Sequence, residues 1–161
     1  MIILDSCEII LFFSEIKKPE TLFKLIGFGH ELYIPNGVLK EIEKGKGKYT
    51  TCFLLKKAIK NKQIHVFKKV NQKEIEKIKN RYPLIGLGES EVIFWGKLLD
   101  SKNKNYKCII DDGPARIVAK DEKIKFMGVK GLLTYMRTKG LLTKKEENQL
   151  LKEVKKTKFR L

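Results

Sequence analysis

Histidine is almost missing from this chain: His30 and His65 are the only two in 161 residues. Each stands alone, so a histidine-based metal centre or a Ser-His-Asp triad lacks its parts, and His30 reads as a loop residue. Cysteine is nearly as scarce. Cys7, Cys52 and Cys108 are odd in number and widely spaced, with no C-x-x-C pair. That excludes a disulfide framework and a zinc ribbon, and suits reduced, buried thiols of an intracellular protein. No apolar run approaches the roughly 18 residues that a membrane-spanning helix needs. The opening MIILDSCEII has no basic leader, an aspartate interrupts its apolar stretch, and no small-residue cleavage site follows. It reads as structure rather than a signal peptide, and a cytosolic location is expected. Negative charge is also in short supply, with 19 acidic residues against 35 basic ones and a formal net charge of +16. Such an excess favours polyanionic partners, nucleic acid ahead of an anionic membrane, although a lysine-rich composition also accompanies thermal adaptation.

What is present is an alternation. Short apolar runs at 1–4, 31–35, 63–67, 106–110 and 124–128 read as strands. Between them lie amphipathic stretches at 6–16, 20–26, 37–45, 50–61, 71–82, 88–100 and 114–121, with two more at 129–139 and 143–156. Within 6–16 the residues Ile9, Ile10, Phe13 and Ile16 mark one face, and Asn36 is placed to cap 37–45. GKGKY at 45–49 reads as a basic, glycine-bearing loop. No repeat, low-complexity tract or linker divides the chain, so one domain over 1–161 is expected, large enough to bury a core without staples. The β-α order predicts an α/β fold with a central parallel sheet and helices on both faces. Ligands of such sheets bind beyond the carboxyl ends of the strands, where the strand order switches.

The few acids fall at those places. Asp5 follows the first strand, Asp111 and Asp112 follow YKCII, Glu41 lies early in the helix after ELYIP, and Glu89 and Glu91 open the helix GESEVIFWGKLLD. Each could serve only as a helix cap or first-turn acid, since such residues satisfy free N–H groups and suit the helix dipole. Capping alone does not require four segments to converge, nor two adjacent aspartates. Clustered carboxylates raise each other's pKa unless a cation compensates, and hard cations such as Mg²⁺ or Mn²⁺ take oxygen ligands. An acidic metal pocket within a basic chain suits phosphodiester hydrolysis, with lysines holding the backbone.

In IILDSCEII, YIPNGVLKEIEKG, GLGESEVIFWGKLL and CIIDDGPARIVA, taken in order and spacing, the chain resembles a PIN domain. The tail FMGVKGLLTYMRTKGLL resembles a VapC-like branch of that family. The resemblance implies a three-layer α/β/α fold and Mg²⁺- or Mn²⁺-dependent single-strand ribonuclease activity by in-line attack of water on phosphorus. For VapC-type members it also implies a homodimer neutralised by an antitoxin. Its four acids carry over to Asp5, Glu41, one of Glu89 and Glu91, and Asp112. Glu89 follows the glycine and is preferred, while Glu91 would place Gly96 where the family often has a small residue. Asp112 has Arg116 and Ala119 four and seven residues on, as the family pattern asks. Asp111 is then its neighbour and an auxiliary ligand. Ile110 and Val129 stand where the family often carries hydroxyl residues.

Arg116 reads either as a phosphate contact or as the i, i+4 partner of Asp112. Lys46, Lys48 and Lys56, with Lys57 and Lys60, are candidate RNA contacts or a solvated face. Phe12, Phe13, Phe94 and Trp95 read as core or dimer interface rather than base-stacking platforms. The competing functions are the same chemistry in RNA maturation or decay, a non-catalytic nucleic-acid-binding protein, and a phospho-accepting receiver domain. The last is disfavoured because Asp5 stands without a second acid at the end of the first strand.

Overall fold

The structure, a computed structural model, describes residues 1–46, 49–68 and 71–157, without the side chains of Lys46 and Tyr49. Five strands, β1 (Ile2–Leu4), β2 (Leu32–Pro35), β3 (His65–Phe67), β4 (Lys107–Ile109) and β5 (Phe126–Met127), form one sheet in the order β3-β2-β1-β4-β5. Every pairing is parallel, with Leu4 opposite Ile109 and Ile3 between Tyr33 and Cys108. Ile2, Ile3 and Leu4 are all buried, as a central strand covered on both faces requires.

The helices are α1 (Ser6–Ile10), α2 (Pro19–Gly27), α3 (Asn36–Glu41), α4 (Tyr49–Lys60), α5 (Gln72–Arg81), α6 (Leu87–Ser101), α7 (Gly113–Asp121), α8 (Val129–Thr138) and α9 (Lys144–Lys155). The chain steps from β1 to β2 to β3 in one direction, then returns past β1 to β4 and β5. Right-handed crossovers therefore put the connections of the two halves on opposite faces, which makes three layers. Contacts agree: α1 touches α4, while α6 packs on α5 and α7. Ion pairs Lys18–Glu153 at 2.7 Å and Lys24–Glu146 at 3.0 Å tie α9 to both ends of α2.

Two helices depart from the expected form. The stretch 6–16 is α1 followed by a π-helical turn, Leu11–Glu15, in which the Ile16 N–H donates to the Leu11 carbonyl at 2.9 Å. Three bulky neighbours, Leu11, Phe12 and Phe13, cannot share one face of an α-helix. The wider turn buries all three with Ile9, while Ile10 and Ile16 stay half-buried. Asn36 is not the cap of its helix. Pro35 takes that position, Asn36 is the first residue of α3, and α3 ends at Glu41 before a π-type turn with Gly45 at φ +92°.

Phe12 and Phe13 are core. Phe94 and Trp95 are half-buried, and Trp95 stacks on Phe67 with ring centroids 3.9 Å apart, continuing onto Tyr33. Among the described residues no helix is long and apolar enough to cross a membrane.

Candidate active site

The switch in strand order lies between β1 and β4, and the acids stand at its carboxyl edge. Asp5, only 2% exposed, is the N-cap of α1. Its N–H donates to Glu8 Oε2 at 2.8 Å, so Glu8 turns back from the first turn of α1 to the strand end. Glu8 is fully buried and its Oε1 has no hydrogen-bond partner. Burial, then the charges of Asp5 and Asp111, push its carboxyl well above the usual range.

The aspartate doublet serves two helices. Asp112 is the N-cap of α7, accepting from Ala115 N–H at 3.1 Å. Asp111 turns to the next helix and accepts the N–H of Val129, the first residue of α8, at 2.6 Å. Asp111 is half-buried. Desolvation raises its pKa, against the lowering by the Val129 N–H and by Arg116. Capping therefore does explain two adjacent aspartates, because two helices begin beside one strand end. Ile110 is a core residue whose N–H donates to the Met127 carbonyl at 2.9 Å, and Val129 acts through its backbone.

A second group of acids joins α3 to α6. Glu41, the last residue of α3 rather than an early one, accepts the Gly88 N–H in the first turn of α6 at 2.9 Å. Glu91 of α6 accepts the Gly37 N–H in the first turn of α3 at 2.7 Å. Each helix thus caps the other. Both glycines are required by close approach: a Cβ on Gly37 would sit 2.8 Å from Glu91 Cδ, and one on Gly88 2.9 Å from both Glu41 carboxylate oxygens. Glu91 is buried, which raises its pKa against the lowering by Gly37 N–H and Lys40. Glu89 is half-buried and folds against Gly86, where a Cβ would also lie 3.6 Å from Glu41 Oε1. Glu41 and Glu89 are therefore neighbours, with Glu91 beneath.

A family model for the PIN domain matches residues 1–161. The chain belongs to the PIN-domain family. No curated protein and no solved structure matches it significantly. The PIN fold is a nuclease fold whose members typically use divalent metals.

The acids of this PIN domain are oxygen-only donors from β1, β4, α3 and α6, suited in kind to a hard divalent cation. The partnerless Glu8 Oε1, facing the charges of Asp5 and Asp111, fits such a cation as well. Glu8 feels the charges of Asp5 and Asp111, and Glu41 and Glu89 lie together over Gly86. Among the described residues no three His, Cys, Asp or Glu are placed to hold one ion between them. Glu41, Glu91, Asp111 and Asp112 each spend an oxygen on a helix-end N–H instead.

Arg116 does not pair with Asp112. Its guanidinium lies 5.9 Å from the Phe126 ring centroid, and its charge acts on Asp111. Lys56 pairs with Glu43 at 2.9 Å, and Lys57 and Lys60 are exposed on the same helix. Lys48 and the side chain of Lys46 lie outside the described residues. Sequence reasoning passed over Glu8, although Asp-x-x-Glu at 5–8 is a readable capping signature. What it could not supply was the burial.

Proposed function

We propose that this PIN domain is a Mg²⁺- or Mn²⁺-dependent endoribonuclease, the VapC-like toxin of a toxin–antitoxin pair, acting in the cytoplasm as a homodimer. The observation that carries the reading is the siting of the acids. In a chain of net charge +16, Asp5, Asp111 and Asp112 follow β1 and β4 at the carboxyl edge, where ligands of open α/β sheets bind, and Glu41 and Glu89 lie together between α3 and α6. A pure phosphate binder gains nothing from negative charge concentrated there.

By the family resemblance, Asp5, Glu41, Glu89 and Asp112, with Asp111 and Glu91 beside them, are the acids that would hold the cation. A divalent cation at that place lowers the pKa of a bound water and offsets charge developing on a phosphoryl oxygen. The protein's part is to hold these carboxylates rigidly, which the helix-end N–H groups do, and to gather RNA through its lysines. Arg116, exposed beside Asp111, is placed to meet a phosphate of the bound strand.

The test is cleavage of single-stranded RNA by the purified protein with and without Mn²⁺ or Mg²⁺. Cleavage is expected only with cation, and is expected to be lost in Asp5→Asn and Asp112→Asn, whose circular dichroism stays that of the wild type. Cation-independent cleavage, or full activity in both variants, would sink the reading. The toxin role is tested by expression in cells: growth arrest relieved by co-expressing a short open reading frame that adjoins the gene supports it. Unchanged growth on expressing the active enzyme points to RNA maturation or decay.

A further inference from the structure

We infer that the outward face of α4 receives single-stranded RNA, with Phe53 stacking an unpaired base and Lys57 and Lys60 holding the neighbouring phosphates. The inference rests on the ribonuclease reading above and adds to it the place where the substrate strand lands. Phe53 is 59% exposed. Every other phenylalanine of the described residues lies in the core, packs against it or, as Phe28 does beside His30, meets another ring. One exposed apolar side chain is ordinary on a protein surface, so its surroundings decide what it means. Those surroundings are basic. Thr51, Leu55 and Ala58 are the buried side of α4, while Phe53, Lys56, Lys57 and Lys60, all exposed, recur at i, i+3, i+4 and i+7 on its outer side. Lys56 is held by Glu43 at 2.9 Å, whereas among the described residues no acid pairs with Lys57 or Lys60.

The face lies toward the acids. Helix α3 ends at Glu41, the turn Ile42–Lys46 packs against α4, and a helix between two parallel strands begins at the carboxyl edge of the sheet. Phe53 is in the first half of α4, and so on the acid side. Thr50 and Leu54, to either side of it, border a cavity of about 300 Å³ whose far wall includes the exposed Lys17. Other occupants suit this face less well. A membrane surface needs a wide apolar face, and α4 spends its own on the core. A second copy would set lysines against lysines. A lone ring among lysines matches a single strand, whose bases are free to stack and whose phosphates recur along its length.

The test is anisotropy of a short labelled oligouridine, in chelator so that it stays intact, with an RNA duplex as control. Phe53→Ala should weaken oligouridine binding by about fivefold or more, the low end of what one base–aromatic stack contributes, with an unchanged thermal midpoint and salt dependence. Phe53→Trp keeps the platform and should bind as the wild type does. Lys57→Gln combined with Lys60→Gln should instead lower the slope of log affinity against log salt by about 1.4, two phosphates at about 0.7 each. Duplex binding should be indifferent to Phe53→Ala. Unchanged oligouridine affinity in that variant, or an equal loss on duplex, overturns the inference. So does a Phe53→Ala protein that keeps its RNA affinity but escapes neutralisation by the adjoining open reading frame, which makes the face a protein-docking surface. Should the variant not fold, photocrosslinking of 5-iodouridine RNA to the wild type decides, with adducts expected at Phe53 and adducts only elsewhere counting against it. A wild type that neither binds nor cleaves RNA fails the ribonuclease reading itself, a different result from a wild type that binds beside an indifferent Phe53→Ala.

Discussion

Asp111 and Asp112 are adjacent in the chain and part company at once, one starting α8 and the other α7. Asparagine is as good an N-cap as aspartate, whereas alanine loses the acceptor. Asp112→Ala should therefore cost about 1 kcal/mol of stability by urea denaturation, and Asp112→Asn a few tenths at most. A loss of RNA cleavage common to both would then belong to the charge and not to the cap. Much at this scale was legible in the sequence. Asp5 and the doublet announce themselves because they end short β-branched runs, and that alone places them at the carboxyl edge of a parallel sheet. Glu8 did not, because its character comes from what covers it. A glutamate three residues into a helix looks like a solvated first-turn acid until the fold closes over it.

At the scale of elements, α3 and α6 each close the other's open end. Helix α3 has six residues, too few to persist alone, so its geometry depends on the Gly37–Glu91 and Gly88–Glu41 bonds. Glu91→Ala would leave a buried N–H without an acceptor and should cost about 1–3 kcal/mol. Gly88→Ala would drive a Cβ into the Glu41 carboxylate and should cost a similar amount, about 1–3 kcal/mol, as overpacking does. Both are measured by chemical denaturation, and Glu91→Gln, which keeps the acceptor, should recover most of the loss. This bears on the choice between Glu89 and Glu91. Sequence spacing allowed either, since both sit in the first turns of α6. The cross-cap is a tertiary bond between segments 54 residues apart, which no local pattern encodes, and it commits Glu91 to Gly37. The alternation of elements was readable; the π-helical turn at Leu11–Glu15 was not, because a regular period was assumed through three consecutive bulky residues.

For the whole molecule, acid and base pull stability in opposite senses. Glu146 of α9 is held down to about 2 by the Thr143 N–H, the Thr143 hydroxyl and Lys24 of α2. Its folded pKa lies below its ordinary value near 4.5, so its contribution is complete above that value and is lost as pH falls toward about 2. Glu8, Glu91 and Asp111 carry the opposite sign. Their folded pKa values are raised, so their contribution is complete below the ordinary carboxylate value and is lost as pH rises through the raised one. Thermal midpoints recorded from pH 2 to 5 should fall more steeply toward acid in the wild type than in Glu146→Gln, which lacks the depressed carboxyl. The helix-end bonds of Glu41, Glu91, Asp111 and Asp112 have a further consequence, for descent. A copy of this gene under no selection for catalysis would still be selected to keep those four acceptors, because losing each costs stability at the helix end it caps. Inactive descendants of such a chain should therefore drift first toward asparagine and glutamine at these positions, keeping the acceptors while shedding the charge, and toward apolar residues last.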